Sequence, residues 1–131
     1  MADIVEAIRS RLLAHAGTSA LIGTRARIDH LEQNPTMPAC VVKKVSDIPT
    51  RRFGGNSDKR QARLQVNAHA ATRASCFALA TQMKAALDWY SGTSATVVVD
   101  VAWCDNEIAD GWDDNTNTYV TVQDYLVWYT E

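Results

Sequence analysis

The sequence has no apolar run that approaches the roughly 18 residues of a membrane-spanning helix. Its beginning, MADIVEAIRS, carries early acidic residues and lacks the basic-then-apolar pattern of a secretory signal. We therefore expect a protein that folds in the cytoplasm. At 131 residues the chain has the length of one ordinary domain, and we expect a single domain over residues 1–131.

Cysteine is also scarce. Cys40, Cys76 and Cys104 are widely spaced, and no Cys-x-x-Cys pair occurs. An odd number at such spacing argues against a disulfide framework and against a zinc site. We expect Cys40 and Cys76 to be small buried hydrophobic residues.

Basic residues are missing from the last third of the chain. All 13 lysines and arginines lie between Met1 and Lys84, together with six acidic residues, whereas residues 85–131 hold nine acidic residues and no basic one. The net charge of −2 therefore conceals a strong division. Either two solvated faces partly pair within the monomer, or the basic side of one copy meets the acidic side of another.

The residue patterns of enzymes and metal sites are absent as well. His15, His30 and His69 fall on three different predicted elements, each without a second ligand at a suitable spacing, and we expect exposed positions for them. No Gly-x-Ser-x-Gly elbow occurs. The acidic stretch DNEIADGWDDNTN lacks the oxygen spacing of a calcium-binding EF-hand loop. We expect no catalytic activity, no cofactor and no metal.

The clearest positive signal is a strand that runs into a long helix over residues 59–90. Apolar residues alternate with polar ones from Ala62 to His69, which is the period of a half-buried strand. From Thr72, a candidate N-cap, apolar residues recur every three or four positions as far as Tyr90. We expect the helix to end just before Ser91-Gly92.

Weaker patterns predict the remaining elements. Residues 3–23 predict a helix followed by a short one, with a capping box at Asp3 and Glu6. Strands are expected at residues 25–31, 39–46, 95–103 and 118–130. The stretches 47–57 and 105–117 are rich in turn-forming or acidic residues and are predicted as loops. In the last strand both faces carry bulky groups, so we expect part of the second face to be covered.

This order of elements predicts an α+β fold. We expect a two-layer sandwich with a mainly antiparallel sheet of about five strands and two main helices on one face. The predicted order is helix, short helix, three strands, helix and two strands.

As a whole the pattern resembles the tail-completion family, which includes the tail terminators of long-tailed phages and gene-transfer particles. The likeness rests on the helix EAIRSRLLAHA, the turn TSALIGTR, the lead MPACVVKKVS, the strand-to-helix unit from Lys59 to Thr93, and the final strand ending YLVWYTE. It covers nearly the whole chain in order, although each piece alone is unspecific.

The resemblance implies a structural protein of the virion without enzymatic activity. Similar proteins form hexameric rings on the last ring of the tail tube, stop its polymerisation and present a surface to the head connector. The expected partners are other copies of the chain, the tail tube protein and the head–tail connector. Genomic DNA would pass through the lumen without specific binding, and no membrane would take part.

Two groups of residues are candidate interfaces for such a ring. A closed ring needs two different patches that meet between neighbouring copies. The basic candidates are Arg51, Arg52, Phe53, Lys59 and Arg60. The acidic candidates are Asp105, Glu107, Asp110, Trp112, Asp113 and Asp114. The acidic group would alternatively line the lumen, and the basic loop would alternatively reach the tail tube. Trp112 either folds back onto the sheet or anchors a partner.

Three other functions compete with a tail terminator. A head-completion or connector protein of the same particle would differ in its symmetry and neighbours. A nucleic-acid-binding module would use the basic residues 43–63 with Phe53 as a stacking residue, although the pI near 5.9 disfavours it. An enzyme is the third alternative, and no group of residues supports it.

Overall fold

The computed structural model describes residues 3–31, 36–114 and 117–130, without the side chains of residues 52, 56, 57, 109 and 110. Within these ranges the chain forms three helices and one six-stranded sheet. The fold is therefore mixed α+β, as the sequence predicts. The sheet has one strand more than expected.

Two helices open the chain, as predicted. Helix α1 spans Ile4–Ala14 and helix α2 spans Ala16–Ile22. Asp3 caps α1, since its carboxylate accepts the N–H of Glu6 at 2.9 Å. The apolar stripe of α1, with Ile4, Ile8 and Leu12, is buried in the core.

The strand-to-helix unit is confirmed. Strand β3 spans Gly55–Ala70 and helix α3 spans Arg73–Leu87. Thr72 caps the helix by accepting the N–H of Ser75 at 3.2 Å. Alternate residues of the strand and every third or fourth residue of the helix enter the same core. The helix ends earlier than predicted, because the chain turns at Trp89, which has a φ of 60°.

The other strands are β1 (Ala26–Ile28), β2 (Ala39–Arg52), β4 (Tyr90–Ser94), β5 (Val97–Asp113) and β6 (Thr118–Thr130). Their order in the sheet is β1-β2-β3-β6-β5-β4. Every pairing is antiparallel except that of β1 with β2. The unexpected strand is β4, whose Ser91-Gly92 we interpreted as the end of the helix.

Helix α1 lies against both edges of this sheet. The Arg9 Nε–H donates to the carbonyl of Ala26 on β1 at 2.7 Å, and the Ser94 hydroxyl on β4 donates to the carbonyl of Ala7 at 2.7 Å. Strands β1 and β4 are the two ends of the strand order, so the sheet must curl to bring both to one helix. The sheet is therefore curled, a feature that the sequence did not predict.

Both predicted loops are wrong in extent. Strand β2 continues through Pro49 to Arg52, and β5 continues through the acidic stretch to Asp113. Among the described residues, the outer edge of each extension has no neighbouring strand, since β1 pairs with β2 only up to Val42 and β4 pairs with β5 only up to Ala102. Charged residues, bulges and a proline suit such open edges, because no second ladder needs their N–H groups.

Candidate assembly surfaces

The first candidate surface is the turn between β2 and β3, here called the basic tip (residues 51–55). Phe53 is fully exposed at its apex, and Arg51 beside it is exposed as well. Gly54 follows with a φ of 86°, a conformation that glycine adopts without strain. No atom lies within 4 Å of a Cβ built on Gly54 or Gly55, so the tip projects away from the domain.

The base of this hairpin is held by a polar cluster around Asp47. Its carboxylate accepts from Arg60 Nε at 3.0 Å and from the Tyr129 hydroxyl at 2.6 Å, and Lys44 Nζ lies 3.5 Å away. Burial disfavours the charged carboxylate, but the Tyr129 hydroxyl and Arg60 outweigh it and lower the pKa of Asp47. Arg60, a predicted interface residue, therefore has a structural role in joining β2 to β3.

Two more cations pair across the sheet. Lys59 Nζ lies 3.1 Å from a carboxylate oxygen of Asp100 and donates to the Thr130 hydroxyl at 2.7 Å. Arg63 lies 3.1 Å from Asp105. The divided charge of the sequence is thus partly paired within one subunit, which is the first of the two alternatives.

The acidic tip, defined as residues 109–114 and 117, lies where β5 approaches β6. Trp112 packs edge-on against Tyr119, with ring centroids 5.1 Å apart, yet half of its side chain remains exposed. Asp114 is exposed, and Gly111 adopts a φ of 79° that permits the bend. Trp112 therefore folds back onto the sheet and still presents an aromatic surface.

A buried network fixes the middle of the β5–β6 hairpin. Gln123 is fully buried, accepts from the Tyr125 hydroxyl at 2.6 Å and donates to the carbonyl of Ala80 on α3 at 2.9 Å. Its amide also donates to Glu107, another predicted interface residue. Burial raises the pKa of Tyr125, so its hydroxyl stays a donor. Glu107 therefore links β5 to β6 within the subunit.

His69 was expected on an exposed face and is instead buried. Its Nδ1 lies 3.1 Å from the hydroxyl of Thr118, at the start of β6. Burial lowers the pKa of His69, with Asp113 opposing, so the neutral ring is favoured. The alternation of polar residues in β3 gave no sign that the β5–β6 hairpin covers His69.

The two tips project from opposite ends of the sheet. Residue 59 of β3 pairs with Thr130 and residue 70 with Tyr119, so the basic tip extends beyond the end of β6 and the acidic tip lies near its beginning. Gly55 and Ala68 are thirteen residues apart on one strand, which corresponds to roughly 40 Å. The two predicted groups therefore do not meet within one subunit at their tips.

An aromatic patch on the sheet face opposite the helices was missed by the sequence reasoning. Trp89 is largely exposed and stacks on Trp103, with centroids 6.0 Å apart. Cross-strand pairing places Trp103 opposite Leu126 and Val101 opposite Trp128. In the sequence, this patch was indicated only by the bulky residues on both faces of the last strand. Nothing in the sequence pattern indicated that Trp89 belongs to it.

A groove of about 320 Å³ lies between the first turn of α3 and the β5–β6 hairpin. Its lining is mostly apolar and consists of Arg73, Cys76, Phe77, Gly111, Tyr119, Val120 and Thr121. Phe77 is largely exposed at its rim. The groove thus offers an apolar pocket directly beside the acidic tip.

Other kinds of site find no support in the described part of the chain. There, no group of three or more histidine, cysteine or acidic side chains lies close enough together to hold a metal ion. Over the same ranges, no helix combines the length and apolarity needed to cross a bilayer.

Comparison with known proteins supplies the family. A chain from the virion of a native gene transfer agent particle has a similar structure, with a TM-score of 0.69 at 17% identity over 98% of this chain and 95% of that chain. A second solved structure gives a TM-score of 0.54 at 14% identity over 95% and 93%. No curated protein matches. The family described as tail completion protein gp17 matches residues 6–130, and the chain therefore belongs to this family of virion structural proteins.

Proposed function

We propose that the chain is a tail terminator that forms a ring, with six copies, on the end of the tail tube. The ring ends tail polymerisation and offers the surface on which head and tail join. The supporting observation is that one continuous sheet carries a basic tip at one end and an acidic tip at the other. Such a subunit suits a heterologous contact, in which different patches of neighbouring copies meet and the rotation closes.

The proposed ring has three classes of partner. Neighbouring copies contact one another, the tail tube protein lies on one side and the head–tail connector on the other. DNA passes through the lumen without being held. An acidic lumen serves this purpose, since phosphates bind lysine and arginine.

A nucleic-acid-binding module is disfavoured by ion pairs. Within the basic residues 43–63, at least four of the seven cations have a carboxylate partner: Lys44 and Arg60 share Asp47, while Lys59 and Arg63 face Asp100 and Asp105. Each pair lowers the positive potential that attracts phosphate. A connector protein of the same particle remains the second candidate, because it also needs two unlike ends.

Light scattering after size exclusion, with negative-stain images of the same peak, tests the ring. A hexamer of this 14.4 kDa chain has a mass of about 86 kDa and should appear as closed rings. The same sample should show no retention of duplex DNA at low salt. Rings of another symmetry would favour the connector, and salt-dependent DNA retention would favour the nucleic-acid module.

A further inference from the structure

Two surface features lie too far apart to satisfy each other within one subunit. The ring of Phe53 is fully exposed at the basic tip, and the apolar groove beside α3 is open. The groove residues Tyr119 and Thr121 pair with Ala70 and Ala68, roughly 40 Å along β3 from the basic tip. Phe53 therefore cannot reach the groove of its own chain.

The surroundings of the two features carry opposite charge. Phe53 follows Arg51 and Arg52 in the sequence. The groove adjoins the acidic tip through Trp112, which pairs with Tyr119, and the tip carries the exposed Asp114. Attraction between the tips would orient the turn before the aromatic ring enters.

We propose that Phe53 of one copy inserts into the groove of the next copy, between Phe77 on α3 and Tyr119 on β6. The proposal rests on the ring proposed above and specifies its contact. Arg73 at the groove can lie over the Phe53 ring as a cation–π partner, so its positive charge is compatible with an aromatic occupant. The groove volume of about 320 Å³ leaves room for a phenyl ring.

A second copy is the occupant that these observations favour. Every subunit carries both the basic tip and the groove, so each copy can donate to one neighbour and accept from the other. In a closed ring, every basic tip and every groove is then occupied. The alternative is that the basic tip binds the tail tube. Disulfide trapping and the assembly of Phe53→Ala distinguish this from docking on a second copy.

Disulfide trapping tests the contact even when assembly is weak. One chain carries Phe53→Cys and a second carries Arg73→Cys, and they are mixed under mild oxidation. Both also carry Cys76→Ala and Cys104→Ser, because Cys76 is a free thiol in the groove itself and would otherwise compete with the introduced cysteine. We expect a covalent dimer from the mixture. The matched control places the cysteine at Ala85, which is also exposed on α3 but lies about 18 Å further along the helix. Equal trapping at both positions, or at neither, would overturn the proposal.

Assembly of Phe53→Ala supplies the independent measurement. We expect the contact between neighbours to weaken about 30-fold, as for a central aromatic residue of an interface, with the fold unchanged by circular dichroism. The control is Val45→Ala, which removes an exposed apolar residue from the same hairpin away from its tip. Intact hexamers of Phe53→Ala, with or without loss of tail-tube capping, would overturn the proposed docking while leaving the ring standing. A wild-type chain that stays monomeric and gives no trapped dimer would count against both.

Discussion

The β2–β3 hairpin and the β5–β6 hairpin are built alike but end differently. Among the described residues, each has an outer edge without a neighbouring strand, each contains bulges, and each is fixed by a polar cluster, part-buried around Asp47 and buried around Gln123. At their ends the similarity stops. The basic tip exposes Phe53 completely, whereas the acidic tip packs Trp112 on Tyr119. The polar clusters therefore stabilise the two hairpins in a similar way. The tips differ in how much aromatic surface they expose.

The largest expected effect separates a fully buried polar group, Gln123, from a half-buried one, Gln65. Gln123→Leu leaves the Tyr125 hydroxyl and the Ala80 carbonyl without their partner inside the core. We expect the free energy of unfolding to fall by about 3 kcal/mol, measured by urea denaturation. Gln65→Leu is the matched control on the opposite face of the sheet, and it should change stability by less than about 0.5 kcal/mol. Similar losses from both would contradict the account of the β5–β6 cluster.

A smaller loss of stability is expected at the base of the β2–β3 hairpin. Tyr129→Phe removes the hydroxyl that donates to Asp47, and we expect a loss of about 1.5 kcal/mol. Tyr119→Phe, in the other hairpin, should change stability by less than about 0.5 kcal/mol, because its contact with Trp112 uses the ring. Denaturant midpoints of the two variants test the difference. A Tyr129→Phe variant as stable as the wild type would show that the Asp47 cluster does not hold the hairpin.

The contact between the two hairpins at His69 and the polar cluster around Asp47 should also lose stability in different pH windows. Burial lowers the pKa of His69 below 6.5, so the unfolded chain binds more protons and stability falls as the pH drops below 6.5. The pKa of Asp47 lies below 3.8 because hydrogen bonds from Tyr129 and Arg60 outweigh the effect of burial, so its contribution is lost only as the pH falls below that value. His69→Gln should flatten the first window and leave the second. An NMR titration that finds the pKa of His69 at or above 6.5 would contradict this order.

The smallest predicted effects concern the tips themselves. Trp112→Ala removes the edge-on contact with Tyr119 and should cost about 1 kcal/mol of folding stability. Phe53→Ala should change stability by less than about 0.5 kcal/mol, because its ring is fully exposed. Thermal unfolding of each variant at a concentration that keeps the chain monomeric checks the comparison. Equal destabilisation would mean that Phe53 packs within its own subunit.

The sequence predicted the elements in which local preference and pattern agree. The unit from Lys59 to Leu87 is the best example, because alternation, capping and helical spacing all indicate one structure. The extent of the two predicted loops was wrong because prolines, glycines and charged residues occur at open strand edges as well as in loops. The ion pairs of Lys59, Arg60 and Arg63 depend on strand register, which no single sequence pattern specifies. Trp89 was missed because its position depends on the turn after α3.

The mass of the purified chain in solution, measured beside a variant with Arg51→Glu and Arg52→Glu, tests the central claim most directly. We predict about 86 kDa for the wild type, as a hexamer of 14.4 kDa subunits, and a shift of the variant toward the monomer because its tip now repels the acidic tip of the neighbour. A variant that retains the wild-type hexamer would contradict a ring joined through the basic and acidic tips.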